Sequence, residues 1–167
     1  MRKFRQAAIF AVVLVCAILL PRYLGLLGDD FAGAEDVEMA FPPCAAPGFA
    51  ANCVVDGDTI RIGERRIRLT GYDAPEIDGA CDAESELART ARAELARWLA
   101  LGPFQLDGGA DPPRDRYGRE LRAARRLSPS GDVQLLSDHM IGARLAEGDY
   151  WSAGWSDDWG VGRHQWC

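Results

Sequence analysis

Cys53-Val54-Val55-Asp56-Gly57-Asp58-Thr59-Ile60-Arg61-Ile62 is followed by Gly63-Glu64 and then by Arg65-Arg66-Ile67-Arg68-Leu69-Thr70. Asp-Gly is a preferred turn pair, so the first stretch reads as two strands around a tight turn. Gly63-Glu64 is a second turn. From Arg66 to Thr70, Ile67 and Leu69 alternate with charged or polar residues, as in a half-buried strand. Three short strands with turns between them predict a meander.

Downstream the period changes. Leu87, Ala91, Leu95, Trp98 and Leu99 recur at spacings of three and four, which predicts a helix over Glu84–Leu101 with one apolar stripe. Gly102-Pro103 stops it. Phe104-Gln105-Leu106 reads as a short strand, Gly108 to Arg116 as a turn-rich loop and Gly118 to Arg126 as a further strand. After the turn at Ser128 to Gly131, Asp132 is placed to cap a helix from Val133 to about Arg144. This order predicts an α+β domain with a small five-stranded Greek-key β-barrel and two to three helices.

Upstream, Arg2, Lys3 and Arg5 precede an apolar run from Ala7 to Leu20, broken by Pro21-Arg22 and resumed from Tyr23 to Leu27. Residues 1–27 read as an N-terminal apolar helix, either a retained signal-anchor or a cleaved signal peptide. Basic residues before the run and acidic ones after it place the rest of the chain outside the cytoplasm in both cases. That means a single-pass membrane protein, or a secreted or periplasmic one. Residues 28–49 are rich in Gly, Ala, Pro and acid and read as a linker. Residues 50–167 are the folded domain.

Composition is that of an ordinary globular chain: 48% hydrophobic and 26% charged. The net charge of −6 argues against a long, tight nucleic-acid footprint, which needs Lys and Arg. It is compatible with a small site for one cation and one phosphodiester. Cys16 lies in the apolar run. Cys44, Cys53, Cys81 and Cys167 form an even set suited to disulfides outside the cytoplasm. Four cysteines allow three pairings, and spacing does not choose among them. No Cys-x-x-Cys pair suggests zinc.

Three segments bear the chemistry. Asp56-Gly57-Asp58-Thr59 and Asp73-Ala74-Pro75-Glu76 lie at opposite ends of the meander, so a return strand can set Asp58 beside Asp73. Two carboxylates with a backbone carbonyl and water make a hard oxygen site suited to calcium. Glu76 shares the loop of Asp73 and can reach water beside a cation. Arg68 lies on the strand leading into that loop, and Arg119 comes from Asp115-Arg116-Tyr117-Gly118-Arg119. Two guanidinium forks facing carboxylates suit a phosphodiester.

These motifs together resemble the staphylococcal nuclease (thermonuclease) family, in family order, from about Cys53 to Ala146. The quoted matches are Val54–Thr59, Ile67–Glu76 and Asp115–Arg119, with a looser match at Met140–Ala146 and an ending, Trp166-Cys167, similar to some exported bacterial members. The resemblance implies an OB-type barrel and a calcium-dependent nuclease acting on DNA or RNA. It implies metal ligation by the carboxylates of Asp58 and Asp73 and the carbonyl of Ala74. It implies catalysis by Arg68, Glu76 and Arg119. The founding member has Thr at the place of Ala74, and its nucleotide-stacking tyrosines have no clear counterpart here. Nucleic acid is then a weakly held substrate, and no obligate protein partner is implied.

The remaining polar groups read as structural. His139 and His164 lack a third ligand nearby, and Arg61, Arg65, Arg66, Arg89, Arg92, Arg125 and Arg126 are expected on a solvated face. Trp151, Trp155, Trp159 and Trp166 are expected to cover the barrel or an interface. The competing expectation is a non-catalytic barrel that binds a ligand or protein at the cell envelope.

Overall fold

A computed structural model describes residues 31–44, 51–128, 130–148 and 166–167. The apolar run, Cys16, His164 and three of the tail tryptophans lie outside the described residues. Among those described, no helix is long and apolar enough to cross a membrane. All the elements below belong to the unit Gly33–Cys167.

The fold is α+β, with ten strands and two helices among the described residues. The meander forms as expected: β2 (Asn52–Val54), β3 (Thr59–Ile62) and β4 (Arg65–Leu69) pair antiparallel in sequence order. β7 (Glu120–Arg122) then joins β4 in parallel. A second sheet runs β1 (Glu35–Val37), β6 (Phe104–Leu106), β8 (Ala124–Leu127) and β9 (Val133–Leu135). A third, small ladder pairs β5 (Tyr72–Asp73) with β10 (Glu147–Gly148). The described strands therefore form three sheets rather than one closed barrel.

Helix α1 (Asp82–Leu99) buries Ala88, Ala91, Leu95, Trp98 and Leu99, while Leu87 is only half-buried. Its apolar side packs with Val54, Ile60, Ile67, Leu69 and Phe104 in one core. Trp98 meets Phe104 edge-on at 6.0 Å between ring centres, a favoured aromatic geometry.

Three expectations are corrected. Within the stretch read as a linker, Glu35–Val37 pairs with Phe104–Leu106, and Val37 and Phe41 are buried. The segment read as one strand from Gly118 breaks into β7 and β8 in different sheets. The second helix, α2, spans only Leu136–Gly142, because Val133–Leu135 pairs with Arg125–Leu127 across a hairpin. Asp132 closes that hairpin rather than capping a helix: Ser128 N donates to its carbonyl at 2.9 Å and Ser130 Oγ to its carboxylate at 2.5 Å.

The four cysteines pair as Cys44–Cys53 and Cys81–Cys167. Several arginines expected on a solvated face are instead structural. Arg65 forms a two-pronged pair with Glu35, both contacts 2.8 Å, and reaches Glu120 at 2.8 Å. Buried Arg122 reaches the same Glu35 at 2.5 Å, so charge links β1, β4 and β7. Arg126 lies 4.0 Å over the Trp98 ring and donates to the carbonyls of Trp98 and Gly102 beyond the end of α1. His139 pairs with Glu94 at 2.5 Å, the structural role expected of it.

Candidate active site

The Asp56–Thr59 turn is held by its own side chains. Asp56 Oδ1 accepts from the Asp58 amide at 3.2 Å, an Asx turn, and Val55 N donates to the Thr59 carbonyl at 2.8 Å. Gly57 sits where a Cβ would come within 2.6 Å of Ala74 Cβ and 2.9 Å of Ala91 Cβ. Only glycine lets this turn press against both the Asp73 loop and α1.

The register then aligns the charges. Thr59 of β3 faces Arg68 of β4, and Leu69 N donates to the Asp58 carbonyl at 2.7 Å. Asp58 is consequently buried, at 3% exposure. Arg68 Nη1 lies 2.7 Å from Asp58 Oδ2, and its Nη2 donates to Asp73 Oδ1. One guanidinium thus bridges the two carboxylates that the sequence placed at opposite ends of the meander. Thr59 Oγ1 donates to Asp58 Oδ1 at 2.9 Å, and the Ala74 amide to Asp58 Oδ2 at 3.3 Å. Asp73 is fixed from its other side by pairing with Glu147.

Burial pushes the Asp58 carboxyl up to about 8, and the charges of Asp56 and Asp73 add to that, against the opposing pull of Arg68 and Thr59. An anionic Asp58 is therefore under-compensated by Arg68 alone. Glu76 is exposed, and its carboxyl is also raised: partial burial comes first, then the charges of Asp56 and Asp73, opposed by Arg68 and Arg119. Three charges, those of Asp56, Asp73 and Arg68, therefore act on both Asp58 and Glu76, which relates Glu76 to the bridged pair electrostatically.

Arg119 is held separately. Asp115 accepts from Arg119 Nε at 2.6 Å and from its amide at 2.9 Å. That orients the guanidinium beside the exposed ring of Tyr117, 5.6 Å away. The parallel pairing of β7 with β4 carries this loop alongside the strand of Arg68.

Among the described residues, no group of three or more His, Cys, Asp or Glu side chains is placed to hold a metal ion. The expected set contains only two such side chains, with a carbonyl and water completing it. Two carboxylates are the hard oxygen donors a calcium ion would take, and in this structure both are engaged by Arg68.

Three residues that support this site were not singled out from sequence. Asp56 shapes the turn and its charge. Tyr72, fully buried, donates its hydroxyl to the Gly57 carbonyl at 3.0 Å and ties the two carboxylate loops together. Glu84 accepts from the amides of Glu76 and Ala80. Asp56 and Tyr72 lie inside the quoted motifs, whereas Glu84 carried no sequence signal beyond its place in the first turn of a helix.

Compared with family models and with curated proteins, the chain matches none.

Proposed function

We propose that this chain is a calcium-dependent phosphodiesterase of the staphylococcal nuclease type, cleaving DNA or RNA outside the cytoplasm. The observation that carries the reading is the bridge of Arg68 between Asp58 and Asp73. A surface ion pair has no need to bury an aspartate beside two others, whereas a phosphodiesterase needs carboxylates for a cation next to a fork for phosphate.

Asp58 and Asp73, with the Ala74 carbonyl, would hold the calcium ion, which when bound neutralises phosphate charge and polarises water. Arg68, set between the two carboxylates, presents the planar fork whose geometry matches phosphate oxygens as well. Asp115 fixes Arg119 through Nε and leaves its terminal nitrogens to face a second phosphate oxygen. Glu76 orients the attacking water and accepts its proton, a role its raised carboxyl suits. As negative charge gathers on the phosphorus oxygens, the two prepositioned guanidinium groups stabilise it.

The three sheets are, in this reading, parts of one OB-type barrel. The two disulfides support an oxidising compartment, and the N-terminal apolar run supports export or anchoring. The acidic chain favours brief rather than extended nucleic-acid contact.

A second reading, a non-catalytic envelope binding module, is favoured by one observation: Arg68 is already engaged by both carboxylates. Thermal melting of the full chain with calcium and a nucleoside bisphosphate tests for the site. The expected result is a raised midpoint that requires both additions, and an unchanged midpoint counts against the proposal. A raised midpoint without cleavage of nucleic acid supports the second reading.

A further inference from the structure

The loop from Glu76 to Cys81 passes over a single buried carboxylate. Glu84, in the first turn of α1, accepts from the Ala80 amide at 2.7 Å and from the Glu76 amide at 3.5 Å. A glutamate at this position commonly reaches back to the start of its own helix, and here it reaches further, into the preceding loop. Gly79 lies so close that a Cβ there would come within 2.6 Å of the Glu84 side chain. The loop is moulded onto that carboxylate.

The same carboxylate meets the end of the chain. Cys81, the N-cap residue just before α1, is disulfide-bonded to Cys167 across 86 residues, and Cys167 Sγ lies 3.8 Å from Glu84 Oε2. The bonded sulfur has no proton to donate, so this is a packing contact. It sets the disulfide against the same oxygen, Oε2, that accepts from the Ala80 amide. The Cys44–Cys53 disulfide, by contrast, bridges only nine residues beside β2.

We propose that Glu84 and the Cys81–Cys167 disulfide form a clamp that positions Glu76, so that hydrolysis by this chain depends on its oxidation state. The inference rests on the phosphodiesterase reading above. Reduction by a dithiol breaks the S–S bond. Two electrons and two protons pass to the cysteines, giving two thiols, and the dithiol becomes a disulfide. Cys167 is released from Cys81, and the Glu84 carboxylate loses the disulfide packed against its Oε2. Glu84 is a positioning residue: it acts through the backbone of the Glu76 loop, while Asp58, Asp73 and Arg68 are held by separate contacts. The reduced chain therefore binds calcium and nucleotide normally and turns over slowly. Such a chain is quiet in a reducing cytoplasm and active after export.

The experiment measures kcat, KM and calcium affinity on single-stranded DNA for the full chain. Wild type is compared with Cys81→Ser/Cys167→Ser, Cys44→Ser/Cys53→Ser, Glu84→Ala and Glu84→Gln. Expected is a fall in kcat of about tenfold to a hundredfold for the Cys81/Cys167 and Glu84→Ala variants, the scale of a small misplacement of a catalytic group. KM and calcium affinity stay within about twofold, since only positioning is lost. Glu84→Gln, which keeps one acceptor, recovers part of kcat, and the Cys44/Cys53 variant keeps it. Dithiol treatment of wild type lowers kcat, and reoxidation restores it. Equal kcat in oxidised and reduced wild type overturns the clamp while leaving the nuclease reading intact. A parallel loss of calcium and nucleotide binding in the Cys81/Cys167 variant also overturns it, because that is general damage. An oxidised wild-type chain without calcium-dependent cleavage overturns the nuclease reading and the clamp together.

Discussion

Tyr72 donates its hydroxyl to the carbonyl of Gly57, 3.0 Å away, and both residues are buried. Tyr72 immediately precedes Asp73, and Gly57 immediately precedes Asp58, so this bond joins the Arg68 bridge and the Ala74 amide in spacing the two carboxylates. Tyr72→Phe removes the donor and strands a buried carbonyl. A loss of about 1–3 kcal/mol in urea unfolding is expected, with weaker calcium binding by calorimetry. A variant with unchanged stability and calcium affinity would show that the loops are spaced without this bond.

Arg68 cannot be replaced by lysine if its function is to span two carboxylates and a phosphate. A single ammonium lacks the planar fork that lets one side chain serve both Asp58 and Asp73. Arg68→Lys and Arg119→Ala should each slow DNA cleavage by at least about a hundredfold. Initial rates at saturating calcium check this, and a lysine variant cleaving at the parental rate contradicts the bridging role.

Acid should loosen the junction of β1, β4 and β7. Hydrogen bonds from Arg65 are the first cause holding both Glu35 and Glu120 below the ordinary 4.5, with the charges of Arg65 and Arg122 adding to them. Carboxyls lowered by folding stabilise the fold above their unfolded value and lose that contribution as pH falls through the folded one. Glu120→Gln should therefore lower the urea midpoint at pH 7 and flatten its decline below about pH 4.5. An acid limb as steep as the parent's would remove this network from the account.

Arg126 reinforces the end of α1, where the Trp98 carbonyl also accepts from Leu101 N at 3.2 Å. Its Nη2 serves Trp98 and Gly102, its Nε reaches the Pro103 carbonyl at 3.3 Å, and its plane covers the Trp98 ring. Lysine cannot reproduce that set. Arg126→Lys should cost about 1–3 kcal/mol in urea unfolding, and an unchanged midpoint would mean that water serves these carbonyls equally well.

The parts of the fold legible in the sequence are those whose pattern is local. The β2–β4 meander announces itself by Asp56-Gly57 and by Ile67 and Leu69 alternating with charge, and α1 by apolar spacings of three and four. β1 is different. Its segment has the composition of a linker, and it becomes a strand only because Phe104–Leu106, far along the chain, offers an edge. Val133–Leu135 has a pattern that suits either helix or strand, and the hairpin partner Arg125–Leu127 decides it.

The candidate site divides in the same way. Asp58, Arg68, Asp73, Ala74, Glu76 and Arg119 stand in short contiguous motifs and could be named from them. Asp58, Arg68, Asp73 and Ala74 meet directly in the fold. The contacts of Tyr72 and Glu84, and the burial of Arg126, expected in solvent, depend on register and helix placement, which no short motif encodes.

Hydrolysis of single-stranded DNA by the full, oxidised chain, followed as free calcium is raised and then removed by chelator, tests the central claim most directly. The account predicts cleavage that rises to saturation with calcium, stops with chelator and is lost in Asp58→Asn. Cleavage that ignores calcium, or no cleavage at any calcium concentration by a chain that remains folded, would contradict it.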